Sequence, residues 1–460
     1  MKSYKKSPRR RAGIALILSM IFLVIFAALG VCMVTMSGSN VQIASNQHNL
    51  GAALGAAQSG QEILRYWLSR ILIDSSTPQP QYLSEIITAV QTELANNGIT
   101  GVTLTNGGTF TTIPLNSTTG RNFDAQLLID PNQPTILQAR VTGHSGQAVR
   151  TIITSYSIKP YVFPIFDYGL ATKGPLNFPG NPTITAANAA WEADMFVESS
   201  GSPIAVEVGG NLNFAGDVNV GNASANVDFN GAVQIAGDTG QTAIDNHVTI
   251  GMQSPEFPVP DTNRFVQYAT GPVVDSSTDL SKGITLANAT IAAGTNPVFK
   301  ETATIQGVLY IESPNVVTFE RNVALFGIIV GDGDLANPDT NANRIDIQGN
   351  FASQPYPPGP LFDAIRQEEG SSIVAPGFAA TFAGNFSALE GVVAVSGADF
   401  TGNMAATIKG TLINYSDTST VVLGNASMNF DRANSVEIPA GFDLYRELNY
   451  EPSLYCEAGP

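Results

Sequence analysis

The chain has 460 residues, 43% of them hydrophobic and only 13% charged, with a formal net charge of -16. That length suits about two or three domains, and the charged fraction is roughly half the usual value of about 25%. The acidic balance excludes a nucleic-acid partner for the body of the chain. Two cysteines, Cys32 and Cys456, exclude a disulfide framework and a zinc-finger array. Three histidines, His48, His144 and His247, are a poor inventory for histidine catalysis or metal binding.

The charge is unevenly placed. Lys2, Lys5, Lys6, Arg9, Arg10 and Arg11 precede residue 12, which leaves 16 cations against 38 acids beyond Gly13. From Ala12 to Gln61 there is no Asp, Glu, Lys or Arg. Inside that interval Ile14 to Val34 is an apolar run of 21 residues. At about 1.5 Å per residue it spans about 30 Å, the thickness of a bilayer core. The basic leader then stays cytoplasmic, and the rest of the chain is exported. A cleaved secretory signal is the alternative. Its apolar core is usually only about 7–15 residues long, and Thr35-Met36-Ser37-Gly38-Ser39 offers no A-x-A-like site.

The helix is expected to run on. Leu50, Leu54, Ala57, Gln61, Leu64, Leu68 and Ile71 recur at spacings of four and three, an amphipathic stripe closing near Asp74-Ser75-Ser76-Thr77-Pro78. A second helix is expected at Tyr82–Ala95, with Leu83, Ile86, Ile87, Val90 and Leu94 on one face and Asn96-Asn97-Gly98 as its stop. Residues 99–160 change period. VTLT, TFTTI, QLLI, LQARVTG and VRTIITSYSI read as short strands between Asn-Gly, Thr-Gly and Asp-Pro turns. Residues 76–165 therefore read as a small α+β module.

From about residue 166 onward, short Gly-led apolar segments repeat. Gln306-Gly307-Val308 and Phe326-Gly327-Ile328 lie 20 residues apart, and Glu390-Gly391-Val392 and Lys409-Gly410-Thr411 lie 19 apart. The pairs Gly384-Asn385, Gly402-Asn403 and Gly424-Asn425 recur at 18 and 22. A period near 20 with Gly/Asn corners suggests a parallel β-helix or solenoid over 166–460, with a β-sandwich as the alternative. Gln354-Pro355-Tyr356-Pro357-Pro358-Gly359-Pro360 and a short helix at Leu361–Arg366 interrupt the repeats, and such insertions sometimes bind partners. A second interruption holds Asp332 and Asp334, then Asp339, Asn341, Asn343 and Asp346, whose spacing resembles an oxygen-ligand calcium loop. Arg344 stands where that loop needs glycine and no Glu follows at the twelfth position, so a solvated Asn/Asp turn competes with a structural calcium site.

An enzyme would need clustered groups. From Tyr168 onward the ten Lys and Arg residues are isolated, and Glu368-Glu369 reads as surface charge. No G-x-S-x-G, H-E-x-x-H or P-loop motif occurs.

The basic leader ending in Arg11-Ala12-Gly13, the immediate start of an apolar helix at Ile14, and AALGAAQSG within Gln47–Gln61 resemble the N-terminus of PilX-type, type IV pilin-like assembly proteins. FDYGLATKGPLNFPGNPTI and APGFAATFAGNFSALEGVVAVSGADFTGN resemble the Gly-rich repeat domain attached to such N-termini. The resemblance implies a class III leader (1–13) cut between Gly13 and Ile14 by a prepilin peptidase, then a pilin-like helix (14–75). It also implies a single-pass anchor in the inner membrane with an exported C-terminal domain, or incorporation into a surface pilus. The partners would be other pilin or pseudopilin subunits. Most pilins place Glu at the fifth mature position, where this chain has Leu18. That departure resembles the tip subunit of a pseudopilus and favours a minor, tip or initiating, non-catalytic subunit. The alternative is a membrane-anchored or pilus-borne β-helix adhesin for surface polysaccharide or protein. An isolated aromatic such as Trp191 could stack on a sugar, although a lone Trp is more often core. A β-helix polysaccharide-degrading enzyme ranks last.

Overall fold

The computed structural model describes residues 12–116, 120–384, 386–401, 405–417, 420–421 and 427–458, in two compact units. One comprises the chain up to Lys159 together with Tyr445–Pro460, and the other is Pro160–Leu444. The basic leader up to Arg11, and Asn385, Gly402, Asn403, Gly424 and Asn425 of the Gly-Asn series, lie outside the described residues.

The first unit begins with a 57-residue helix, Ala12–Leu68. It contains no proline, and its backbone can run unbroken through the apolar run into the amphipathic stretch. The expected helix to residue 75 ends earlier. Leu72–Asp74 is a strand paired antiparallel with Tyr445–Glu447, so the chain's far end supplies backbone partners in place of another helical turn. The sheet order is Leu72–Asp74, Tyr445–Ala458, Ala148–Pro160, Gln133–Ser145, Arg121–Asp130 and Ile113–Asn116. Every second residue of Arg121–Asp130 points inward at Phe123, Ala125 and Leu127, as a half-buried strand requires. The second helix is Tyr82–Asn96, with Tyr82, Ile86, Ile87, Val90 and Leu94 buried. VTLT forms no strand and contributes only the bridge Leu104–Phe110.

Ala57, Gln61, Leu64 and Leu68 of the expected stripe are buried, joined by Ala53 and Ala56. Small residues decide how closely helix and sheet approach. A Cβ on Gly143 would lie 2.2 Å from the Ala53 carbonyl oxygen and 2.4 Å from the Ala57 nitrogen.

In the second unit most short strands pair in parallel, many of them with a segment one repeat further along. Ala303–Ile311 lies in register with Val323–Gly331, Gly307 opposite Gly327. Asn315–Phe319, Asn343–Ile347, Ala379–Phe382 and Ala398–Phe400 form a second parallel ladder. Alternate apolar residues of these strands point inward, and stacked rings such as Phe299 on Phe319 (4.7 Å) and Phe382 on Phe400 (5.0 Å) fill the interior. Each strand hides its apolar face only against its neighbours. At one corner Asn315 is fully buried; its Nδ2 donates to the carbonyls of Ala292 (2.9 Å) and Glu312 (2.7 Å), and its Oδ1 accepts from Asn296 N (2.7 Å).

Two features depart from sequence expectation. First, the stack does not follow chain order. Leu412–Asn414 pairs in parallel with Leu170–Thr172, which pairs with Met195–Val197, then Val218–Val220, then Val248–Ile250. The first segments of the unit thus extend the ladder from its last ones. Second, the unit ends at Leu444 rather than at residue 460, because Tyr445–Ala458 completes the antiparallel sheet of the first unit. In the Pro-rich insertion the expected helix is a single 3-10 turn, Ile365–Gln367, pinned by buried Phe362 and Ile365.

Candidate assembly surface

The long helix divides by what surrounds it. From Ala53 onward one face packs on its own sheet, whereas from Ile14 to Ile43 the large apolar side chains are all exposed. Leu18 is 53% exposed and Ile14 74%. Among the described residues this is the one helix long and apolar enough to cross a membrane. Two of its hydroxyls are satisfied locally: Ser19 Oγ donates to Leu16 O (2.9 Å), and Thr35 Oγ1 donates to Cys32 O (2.9 Å) and Val31 O (3.0 Å). Back-bonding of this kind lets a polar residue sit in an apolar surrounding without an orphaned donor. An apolar surface of this extent marks a membrane or protein contact.

The residues expected at the cleavage point lie at the start of this surface. Gly13 is in the first turn of the helix and Ile14 follows it. Leu18 places an aliphatic side chain one turn further along, where no carboxylate is available within its own position to meet an amine. The signal missed in the sequence was the docking half of the helix, where Ala53 and Ala56 face Gly143. Its trace is a glycine inside the otherwise β-forming LQARVTGHS.

Five of the six suggested calcium residues engage protein partners through their side chains. Asp332 Oδ1 accepts from Ser313 N (2.6 Å), and Asp334 accepts from Ala336 N (2.8 Å) and Asn337 Nδ2 (3.2 Å). Asp339 Oδ1 accepts from the amides of Asn341 (3.2 Å) and Ala342 (3.1 Å), and Asn343 Oδ1 accepts from Asn315 N (3.2 Å). Asp346 pairs with Arg344 at 2.8 Å. Hydrogen bonds from Asn337 and Ala336 hold the Asp334 carboxyl below its usual range. Among the described residues no three His, Cys, Asp or Glu side chains are grouped to hold a metal. These oxygens terminate turns and ladder corners.

Residues 12–62 match the PilX N-terminal family model, which coincides with the exposed apolar half of the helix and the start of its docking half. The crystal structure of the competence-associated pilin ComZ from Thermus thermophilus aligns over 89% of this chain and 98% of its own, at 10% identity and a TM-score of 0.22. That superposition is too loose to carry an argument. No curated protein matches the chain. The N-terminal region is therefore similar to the PilX N-terminal family, and a mostly β region follows it.

Proposed function

We propose that the chain is a minor type IV pilin-like subunit, at the tip or initiating end, acting in pilus or pseudopilus assembly at the cell envelope. Its role in this reading is structural and non-catalytic. The observation that carries it is the coincidence of the PilX-type segment with a helix whose first half is apolar and wholly exposed. That half is held in the inner membrane before assembly and against neighbouring pilin or pseudopilin helices afterwards. Prepilin peptidase removes the leader between Gly13 and Ile14. Leu18 then becomes the fifth residue and offers no carboxylate to the terminal amine of a neighbouring subunit. A carboxylate in hydrocarbon is costly and is kept where it has such a partner. A subunit without it suits a filament end, where that contact is not required. The parallel strands of 160–444 are read as coils of a β-helix carried by this anchor.

Quantitative immunoblotting of sheared filaments tests the reading. The protein should be scarce beside the most abundant pilin, and its deletion should reduce filament number rather than filament length. Abundance equal to or above that of the major pilin removes the minor-subunit assignment.

A further inference from the structure

Within the second unit, Ser427–Phe430, Thr183–Ala186, Leu212–Phe214 and Val233–Ile235 follow one another as parallel neighbours in one ladder. Ile184, Leu212, Phe214, Val233 and Ile235 are buried, so the intervening Thr183, Asn213 and Gln234 stand outward and in register. None of the four strands holds a charged residue. The adjoining ladder differs, with exposed Glu207 in Ile204–Val208 and exposed Asp228 in Asn226–Phe229. At the end of the uncharged face the chain turns back antiparallel at Asp238–Thr239 and enters the helix Gly240–His247, whose Ala243 is buried in the core. Thr239, Gly240, Gln241 and Ile244 then wall a single hollow of about 600 Å³ beside Thr183, Asn213 and Gln234.

The lining decides the ligand class. No Asp, Glu, Lys, Arg or His borders the hollow. Thr183, Asn213, Gln234 and Thr239 do, and their side chains have no hydrogen-bond partner among the described residues. Asn211 adds an amide nitrogen, while its Oδ1 accepts from Ala232 N (3.0 Å). The half-buried Phe229 and Ile244 supply apolar surface. Because Thr183, Asn213 and Gln234 lie on adjacent strands, their polar groups repeat at about 4.8 Å along the stack.

A charged ligand would find no counter-charge in this lining, and an apolar one would cover polar side chains without pairing them. A peptide strand would need a free edge, yet the outer edge of Val233–Ile235 is already paired with Asp238–Thr239. A neutral glycan presents hydroxyls that donate and accept along its length, and C–H surface for the apolar groups. A mixed lining and this volume also suit a ligand of that kind. The geometry points to a binding site for a segment of neutral polysaccharide on this face, held by Thr183, Asn213 and Gln234 beside the helix Gly240–His247. It goes beyond the assembly reading, since no residue of the long helix takes part and its test reads binding alone.

The test titrates the full-length chain in lipid nanodiscs, free of glycoside detergent, with maltotriose, cellotriose and triacetylchitotriose by isothermal calorimetry. At least one should bind saturably, and Asn213→Ala combined with Gln234→Ala should weaken it about tenfold or more, each lost hydrogen bond being worth a few-fold. Both positions are exposed, and unchanged circular dichroism and melting temperature separate this from misfolding. No binding of any of the three at about 20 mM overturns the assignment, as that is far above ordinary site affinities. Binding that the double variant leaves within about twofold of wild type, or tighter binding of trigalacturonate than of every neutral trisaccharide, overturns it as well.

Discussion

Asn315→Leu removes a side chain that ties three segments of the stack at one fully buried point. Leucine keeps asparagine's four side-chain heavy atoms and its branch at Cγ, so the lost interactions are chiefly polar. The Ala292 carbonyl keeps donors from Thr295, through its backbone N (3.2 Å) and its Oγ1 (2.6 Å). The Glu312 carbonyl and the Asn296 amide lose their Asn315 partner at 2.7 Å in each case. Asn296 is exposed and Glu312 half-buried, so water replaces part of what is lost, and the expected loss is about 1–3 kcal/mol. With about 2–4 °C per kcal/mol in a domain of this size, the melting transition of the second unit should fall by roughly 2–12 °C. Differential scanning calorimetry of the full-length chain reads it. Glu320→Gln, at an exposed position of the same repeat, is the control and should move stability by no more than about 0.5 kcal/mol. A drop for Asn315→Leu no larger than the control's refutes the claim that corner asparagines hold the stack.

Gly143→Val should loosen the helix from its sheet, because the new Cβ meets the backbone of Ala53 and Ala57 rather than a movable side chain. Overpacking of this kind costs about 1–3 kcal/mol, and faster amide exchange across residues 53–64 is the readout. His247 has Nδ1 at 2.7 Å from Asp217 and Nε2 at 3.3 Å from Asp238, and its pKa is raised first by the hydrogen bond to Asp217. A raised folded-state value adds stability that is fully present below the unfolded value of about 6.5 and is lost as pH rises through the folded value. The wild-type melting temperature should therefore fall between pH 6 and 8.5 by more than that of His247→Gln, measured by scanning calorimetry across that range.

Local patterns were the legible part of the fold. The spacings of Ile86, Ile87, Val90 and Leu94 place them on one buried helix face, and four residues of the stripe from Leu50 to Leu68 are buried against the sheet. The 20-residue interval from Gly307 to Gly327 is the interval between paired positions in adjacent strands. Features that join distant parts of the chain were not legible. Nothing in Leu170–Thr172 marks it as the neighbour of Leu412–Asn414, because either ladder edge would accept any short apolar strand. Tyr445–Ala458 reads as one more strand of the repeats, yet its partners lie in the N-terminal sheet. Trp191, weighed as a core residue, is half exposed because the 3-10 turn Ala190–Ala193 buries Glu192 and Ala193 instead. At the candidate calcium loop, residue spacing alone could not reveal that Asp332, Asp339 and Asn343 cap backbone amides of their own and neighbouring turns.

The assembly account rests most directly on the mature N-terminus of the chain recovered from membranes or filaments, read by mass spectrometry. Cleavage should follow Gly13, leaving Ile14 as the first residue with the apolar helix intact, and Gly13→Glu should leave the leader in place. A wild-type chain that keeps Lys2–Arg11, or one cut beyond Val34, would contradict the pilin-like reading.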